Sequence, residues 1–341
     1  LKFSSHIKGV AITRIPSFRR YFFRADLLAM FGYLVSGFFV GLWKIFRFRP
    51  DLIHVHFGVP AGALAWVLHF LTGVPYVLTS HLGDVPGGVP EKTQKWFRWI
   101  KPFTPPIWKD AASITAISEY TRQLAQSQYP VEIKLIHNGI KTSTSYNSNM
   151  VWNEPRQIVF AGRFASQKNP DLIPIILNEI KDLQWRCIMI GDGTLRKKTE
   201  ELTASFGLDK RVTFSGWLPP EQTSEIVTQS DILLLPSKSE GIPMIGLEAL
   251  AAGLIVVASG VGGIGDLIEP EKNGVHCQTG DIQGYAQALR LFLSNPNKLL
   301  EGRTSSLVLA QKFDLQKIVD EYEEVFQDVL QNNEHKHKKT Q

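Results

Sequence analysis

Cysteine is nearly absent from this chain: Cys187 and Cys277 are the two in 341 residues. They have neither metal-type nor redox-type spacing, and each falls in an apolar, strand-like run. They read as buried thiols of a reducing compartment rather than as a disulfide framework, a zinc site or a dithiol redox centre. Acidic residues are scarce at the start. Residues 1 to 50 hold nine basic side chains (Lys2, Lys8, Arg14, Arg19, Arg20, Arg24, Lys44, Arg47 and Arg49) against Asp26 alone. That balance of +8 leaves −3 for the rest of a chain whose total is +5. Such a segment suits an anionic lipid surface, a nucleic acid or an acidic acceptor. A run long enough to span a bilayer is lacking there too. Leu27 to Trp43 is uncharged over 17 residues, short of the roughly 20 that a spanning helix needs. Its Gly32, Gly37 and Gly41 suit close packing and Pro50 follows soon after, so a helix packed on a sheet or lying at a membrane surface is expected. The chain has no initiator Met and opens without a strand pattern, the pattern of a truncated start, so targeting is not legible.

What the chain does have is 44% apolar residues, enough for two domains of ordinary size and incompatible with a disordered protein. Apolar, β-rich runs alternate with helical patterns. In the first half they are Asp51 to Phe57, Val74 to Thr79, Ser113 to Ile117 and Ile133 to Ile136. In the second they are Gln157 to Ala161, Trp185 to Ile190, Arg211 to Phe214, Asp231 to Pro236, Leu254 to Ala258 and Gly274 to Gln278. This alternation predicts parallel βαβ units. The expected fold is α/β, with two doubly wound Rossmann-like domains facing a cleft and ligands at the C-terminal ends of the strands. Ser145 to Pro155 is polar and turn-rich, which places a linker there and domains at 1–150 and 151–310. Leu315, Ile318, Val319, Tyr322, Val325, Phe326 and Val329 form a helical stripe, predicting a closing helix at 311–330. Residues 331–341 are expected to be a mobile basic tail.

The chemistry gathers around Ser239 to Leu250 (SEGIPMIGLEAL). A strand ends just before it, and Pro243 and Gly253 bracket a helix expected at 244–252. A helix start offers free backbone N–H groups and partial positive charge to a phosphate or diphosphate. Glu240 at that mouth is suited to sugar hydroxyls, and Glu248 lies on the helix. After the strand 157–161 come Gly162, Arg163 and Lys168, with Asn169 and Pro170 opening the next helix. Arg163 can bind a diphosphate bidentately and Lys168 as a point charge. Gly260 to Gly265 (GVGGIG) matches the dinucleotide fingerprint literally, but Pro270 cuts off the long helix that should follow and no acid ends a second strand. The reading preferred here is a glycine loop approaching phosphates or sugar. In the first half Ser80-His81-Leu82-Gly83-Asp84 follows a strand, with Gly87 and Gly88 beyond it. His54 and His56 share one strand face without an evident third metal ligand.

Taken together, the Glu240-to-Glu248 spacing, Gly162-Arg163-x-x-x-x-Lys168 and the glycine loop resemble the family 4 (group 1) glycosyltransferases of the GT-B fold, over about Asp51 to Phe326. Three departures are visible. Ile255 stands where proline is usual, Asp266 where glutamate is usual, and Leu82 and Gly83 are in exchanged order relative to His-Gly-x-Asp.

The resemblance implies a retaining transferase using a UDP- or GDP-sugar, with no obligatory metal and no nucleic acid. It implies Glu240, His81, Arg163 and Lys168 as catalytic. Gly162, Gly191, Gly241, Ile242, Pro243, Glu248, Gly262 and Gly263 would join Glu240, Arg163 and Lys168 in holding the donor, with Glu248 on the ribose hydroxyls. His81, Asp84 and Asn138 would lie on the acceptor side, and the closing helix would cross back onto the first domain. The first strand of the family and its glycine-rich loop would belong before the present start. With the basic, apolar N-terminus, a glycan or lipid-linked acceptor of cell-surface polysaccharide synthesis is expected. The location would be cytoplasmic, peripheral at the inner membrane face. Three other readings stay open: a nucleotide-sugar epimerase of the same fold, a non-catalytic membrane-associated partner subunit and, resting on GVGGIG alone, an NAD dehydrogenase.

Overall fold

A computed structural model describes residues 3–7, 9–18, 27–142 and 154–340, the side chains of 27 and 334–340 excepted. Lys2, Lys8, Arg19, Arg20, Arg24 and Asp26 of the basic segment, and 145–153 of the expected linker, lie outside the described residues.

The chain opens on a short antiparallel hairpin, β1 (Ser4–Ile7) and β2 (Val10–Thr13), which corrects the expectation of a strandless start. A helix, Leu27–Phe48, follows over 22 residues. The helix continues past the uncharged run through Lys44 and Arg47 to Phe48, and by length and composition alone it is long and apolar enough to cross a membrane. One side packs on the helix Ala63–Thr72, where Gly37 and Gly41 lie against Leu64 and Leu68. Phe31, Val35, Phe39, Trp43 and Phe46 point away and are exposed.

Two parallel sheets carry the rest. The first is β3 (Ile53–His56), β4 (Tyr76–Ser80), β5 (Ser113–Ala116) and β6 (Lys134–Leu135), in that order. The second comprises β7 (Arg156–Ala161), β8 (Trp185–Ile190), β9 (Val212–Gly216), β10 (Ile232–Leu235), β11 (Ile255–Ser259) and β12 (Gly274–Cys277), ordered β12-β11-β10-β7-β8-β9. The neighbouring apolar strands β10 (ILLL) and β11 (IVVAS) are buried along their whole length, as strands covered by helices on both faces must be. The order reverses between β10 and β8 around β7, and such a switch point opens a crevice at the strand ends.

The closing helix, Leu315–Thr340, packs Ile318, Val325 and Val329 against Val77 and Ile136 of the first sheet's domain. Its Tyr322 hydroxyl lies 3.2 Å from Thr79 Oγ1. Backbone helix continues through 340, over the stretch expected as a basic tail. At the crossover, Ile140 bonds Phe313 and Leu315 through the backbone and Thr142 bonds Asp314.

Candidate active site

The C-terminal ends of β7 and β10 lie side by side in the second sheet, so the loops leaving them meet. Lys168 Nζ donates to Glu240 Oε1 at 2.6 Å, joining residues 72 apart in sequence. Glu240 is 5% exposed, and a carboxylate this deep needs such a partner. Lys238 N bonds Gln167 O, and Gln167 Nε2 bonds Ser239 O, so the two loops are zipped along their length. Arg163, at the start of the same loop, is exposed. Gly162 packs near the Lys168 stem.

The helix after Glu240 runs Met244–Ala251, with Pro243 before its first turn. The Pro243 carbonyl accepts from the N–H of Gly246 and Leu247, while the first N–H groups of the helix have no partner within it. Glu248 is half-buried and desolvation raises its carboxyl pKa. Among the described residues it makes no ion pair, which leaves it suited to hydroxyl donors. Ile242 is buried in the core, so this position can offer a ligand only its backbone.

The glycine loop packs directly on the segment that carries Glu240. A Cβ on Gly262 would fall 1.8 Å from Glu240 O, and one on Gly263 would fall 1.7 Å from Gly241 O and 2.7 Å from Ser118 Cβ. These glycines are required by packing of the loop onto Glu240-Gly241. The loop is a short 3₁₀ turn, Gly262–Leu267, without the long helix of a dinucleotide site. Gly191, at φ +125°, is likewise required by the Gly162 carbonyl lying beneath it. That contact sets Gly191 beside Arg163.

The first domain reaches this centre. Gly241 lies against the His81 carbonyl and Ile117. Asp266 Oδ2 accepts from Glu119 N at 3.1 Å, capping the helix Glu119–Gln128 from the other domain. Ser239 Oγ donates to Glu91 Oε1 at 2.5 Å, and the Arg163 guanidinium helps lower the Lys92 pKa, after desolvation. Sequence reasoning missed Glu91 and Lys92, which carry no motif; their place beside Ser239 and Arg163 comes from chain folding alone.

Asp84 is corrected. It is 1% exposed and accepts from His81 N at 2.9 Å, Gly58 N at 2.7 Å and Ser80 Oγ at 3.2 Å. Its oxygens are occupied inside the loop, so it holds His81 in place and does not face an acceptor. Leu82, in the exchanged order, takes a left-handed φ of 78° where glycine would be unstrained, and Gly83 does not. Asn138 is half-buried beside His137 and Gly139, where Gly139 abuts Leu315 at the foot of the closing helix.

His81 Nε2 lies 2.8 Å from His56 Nδ1, and His54 Nε2 lies 2.8 Å from Thr79 Oγ1. The third imidazole near His54 and His56 is therefore His81, although no group of three such side chains among the described residues is arranged to hold a metal ion. Burial, then the neighbouring imidazoles, push His54 and His81 each down to about 4. Both are neutral at pH 7. The unfolded chain protonates them near pH 6.5 and the folded chain resists until about 4, so stability present at pH 7 is lost as pH falls between those values. For His81 this amounts to on the order of 2–3 kcal/mol. Urea midpoints between pH 7.5 and 4.5 should fall less steeply in His81→Asn; parallel falls would refute the assignment.

Comparison with known proteins agrees with this geometry. Residues 7–144 match the model of Glycosyltransferase Family 4 and residues 147–303 that of Glycosyl transferases group 1. An uncharacterized glycosyltransferase of Methanocaldococcus jannaschii is 24% identical over 94% of this chain and 86% of its own. The N-acetyl-alpha-D-glucosaminyl L-malate synthase of Bacillus anthracis is 24% identical over 84% of this chain and 77% of its own. Among solved structures, the sucrose-phosphate synthase of Thermosynechococcus elongatus superposes with a TM-score of 0.82 at 18% identity, covering 97% of this chain and 86% of that one. Anabaena HepE in complex with UDP superposes at 0.73 and 20% identity, covering 86% and 83%. With a family model on each half and both sheets of the GT-B architecture in place, the chain belongs to the group 1 glycosyltransferases.

Proposed function

We infer that this enzyme moves a sugar, with retained anomeric configuration, from a UDP- or GDP-sugar to a glycan or lipid-linked acceptor in cell-surface polysaccharide synthesis, working at the inner face of a membrane. The observation that carries this reading is the Lys168–Glu240 pair at the joined ends of β7 and β10, beside an unpaired helix start. When the sugar–diphosphate bond breaks, its electron pair goes to the leaving phosphate oxygen. Lys168, Arg163 and the first N–H groups of the helix 244–251 stabilise that growing charge, more in the transition state than before it. The work often given to a divalent ion falls to these cations, so no obligatory metal is expected. Glu240 faces the donor sugar and Glu248 the ribose hydroxyls. Neutral His81 meets the transferring sugar or the acceptor oxygen from the other domain. Anabaena HepE has been solved with UDP and with UDP-glucose, which supports the donor class. The exposed face of the helix Leu27–Phe48, with Arg47 in its last turn and Arg49 just beyond it, supports a membrane-proximal acceptor.

A thermal-shift panel of nucleotide sugars tests the donor. A true donor at 100 times its Kd stabilises the fold by roughly 2.7 kcal/mol, and Glu248→Ala is expected to weaken UDP about tenfold or more, as loss of charge-assisted hydrogen bonds does. No shift with any UDP- or GDP-sugar would refute this reading. Epimerised donor formed without an acceptor would identify an epimerase instead.

A further inference from the structure

We propose that the helix Pro90–Ile100 and the turn after it dock this enzyme on an anionic lipid surface, with the first turn of the helix at the cleft and the last in the head-group layer. This rests on the membrane-proximal reading above and names a surface distinct from the helix Leu27–Phe48.

Trp99 and Phe103 are each 77% exposed. A single exposed ring is ordinary, but these two stand four residues apart among Lys95, Arg98 and Lys101. From Lys92 to Lys109 the chain carries five cations and no acid. On the inward face Thr93 and Phe97 are buried, so by the helical repeat Lys95 and Trp99 project outward together, while Lys92 of the first turn lies near Arg163 at the cleft. Indole rings with flanking cations are the side chains of the lipid–water boundary, where the ring sits at head-group depth and the cations meet anionic lipid. An all-cationic stretch is complementary to such a surface and not to a neutral one.

The other end of the helix is anchored at the reaction centre. Glu91 accepts from Ser239, next to Glu240. At 1.5 Å per residue, Trp99 lies about 12 Å along the helix axis from Glu91. A lipid-linked acceptor held at Trp99 and Phe103 would therefore present its head group to the cleft within the length of a sugar or two, without leaving the bilayer.

The test is co-sedimentation of the full chain with phosphatidylcholine vesicles and with phosphatidylglycerol-containing vesicles, alongside the thermal shift produced by UDP. Wild type should bind the anionic vesicles alone, less so at high salt. The double variant Trp99→Ala/Phe103→Ala should lose about tenfold or more in vesicle affinity while keeping the UDP shift, which certifies its fold. Lys95→Glu/Arg98→Glu should abolish the preference for anionic lipid. Vesicle binding unchanged in the aromatic double variant overturns the proposal. So does a raised KM for a soluble glycan with vesicle binding intact, which would make the rings a carbohydrate platform. Wild type binding anionic vesicles, losing it in the double variant, but showing no shift with any UDP- or GDP-sugar upholds the docking surface and defeats the proposed donor reading instead.

Discussion

Arg163→Ala and Lys168→Ala are each expected to lower kcat by about 10²-fold or more, the scale of losing one preorganised donor to a developing oxyanion, or about 2.7 kcal/mol of transition-state stabilisation. The two variants should differ in a second measurement. Arg163 is exposed, so its removal should leave thermal stability nearly unchanged and report on chemistry alone. Lys168 neutralises Glu240, which is buried at 2.6 Å from it. Its loss strands a desolvated carboxylate, so Lys168→Ala should also lower Tm. Single-turnover rates at saturating donor, with Tm read in parallel, separate the two effects. An unchanged kcat for either variant would remove that residue from the mechanism. A fall in kcat/KM with kcat preserved would mean that it binds ground state and transition state alike.

The second large effect lies at the opposite end of the same sheet. Asp231 precedes β10 and is shared by the buried Arg156 and the partly buried Arg303. Arg303 Nη1 donates to Asp231 Oδ1 at 2.6 Å and Arg156 Nη1 to the same oxygen at 3.1 Å, while Gln157 N bonds Oδ2 at 2.9 Å. Asp231→Ala would leave two guanidinium groups facing each other without their anion, and breaking a buried pair from one side typically costs about 3–5 kcal/mol. Here the cost should fall at the upper end of that range. Because the network joins the N-terminal ends of β7 and β10, and substrate is expected at their C-terminal ends, kcat per folded molecule should be unaffected. Denaturant midpoints together with active-site-normalised rates check both halves of this expectation. A variant as stable as wild type, or one that is stable but inactive, would contradict it.

Much of the site was legible because its parts are local. Arg163 and Lys168 follow one strand, and Glu240 follows another. Strand ends in a parallel sheet collect on one edge, so a motif placed after a strand is already placed at the crevice. His81 was legible for the same reason. The role of Asp84 was not, since a carboxylate in a loop looks the same in sequence whether it turns outward or, as here, inward onto Gly58 N and His81 N. The packing of the glycine loop was hidden in a related way. Four glycines announce close backbone approach, but not that two of them, Gly262 and Gly263, lie against Glu240 and Gly241.

By itself, then, the sequence determined the alternation of strands and helices, the two parallel sheets and the order of the charged motifs, because periodicity and turn residues act within a few residues of the chain. The tertiary structure alone decided that Lys168 grips Glu240, that Glu91 and Asp266 bridge the domains, that His56 meets His81, and that Trp99 and Phe103 face outward. Each of these depends on which distant surfaces meet, and that is settled by the packing of whole layers, not by any local pattern.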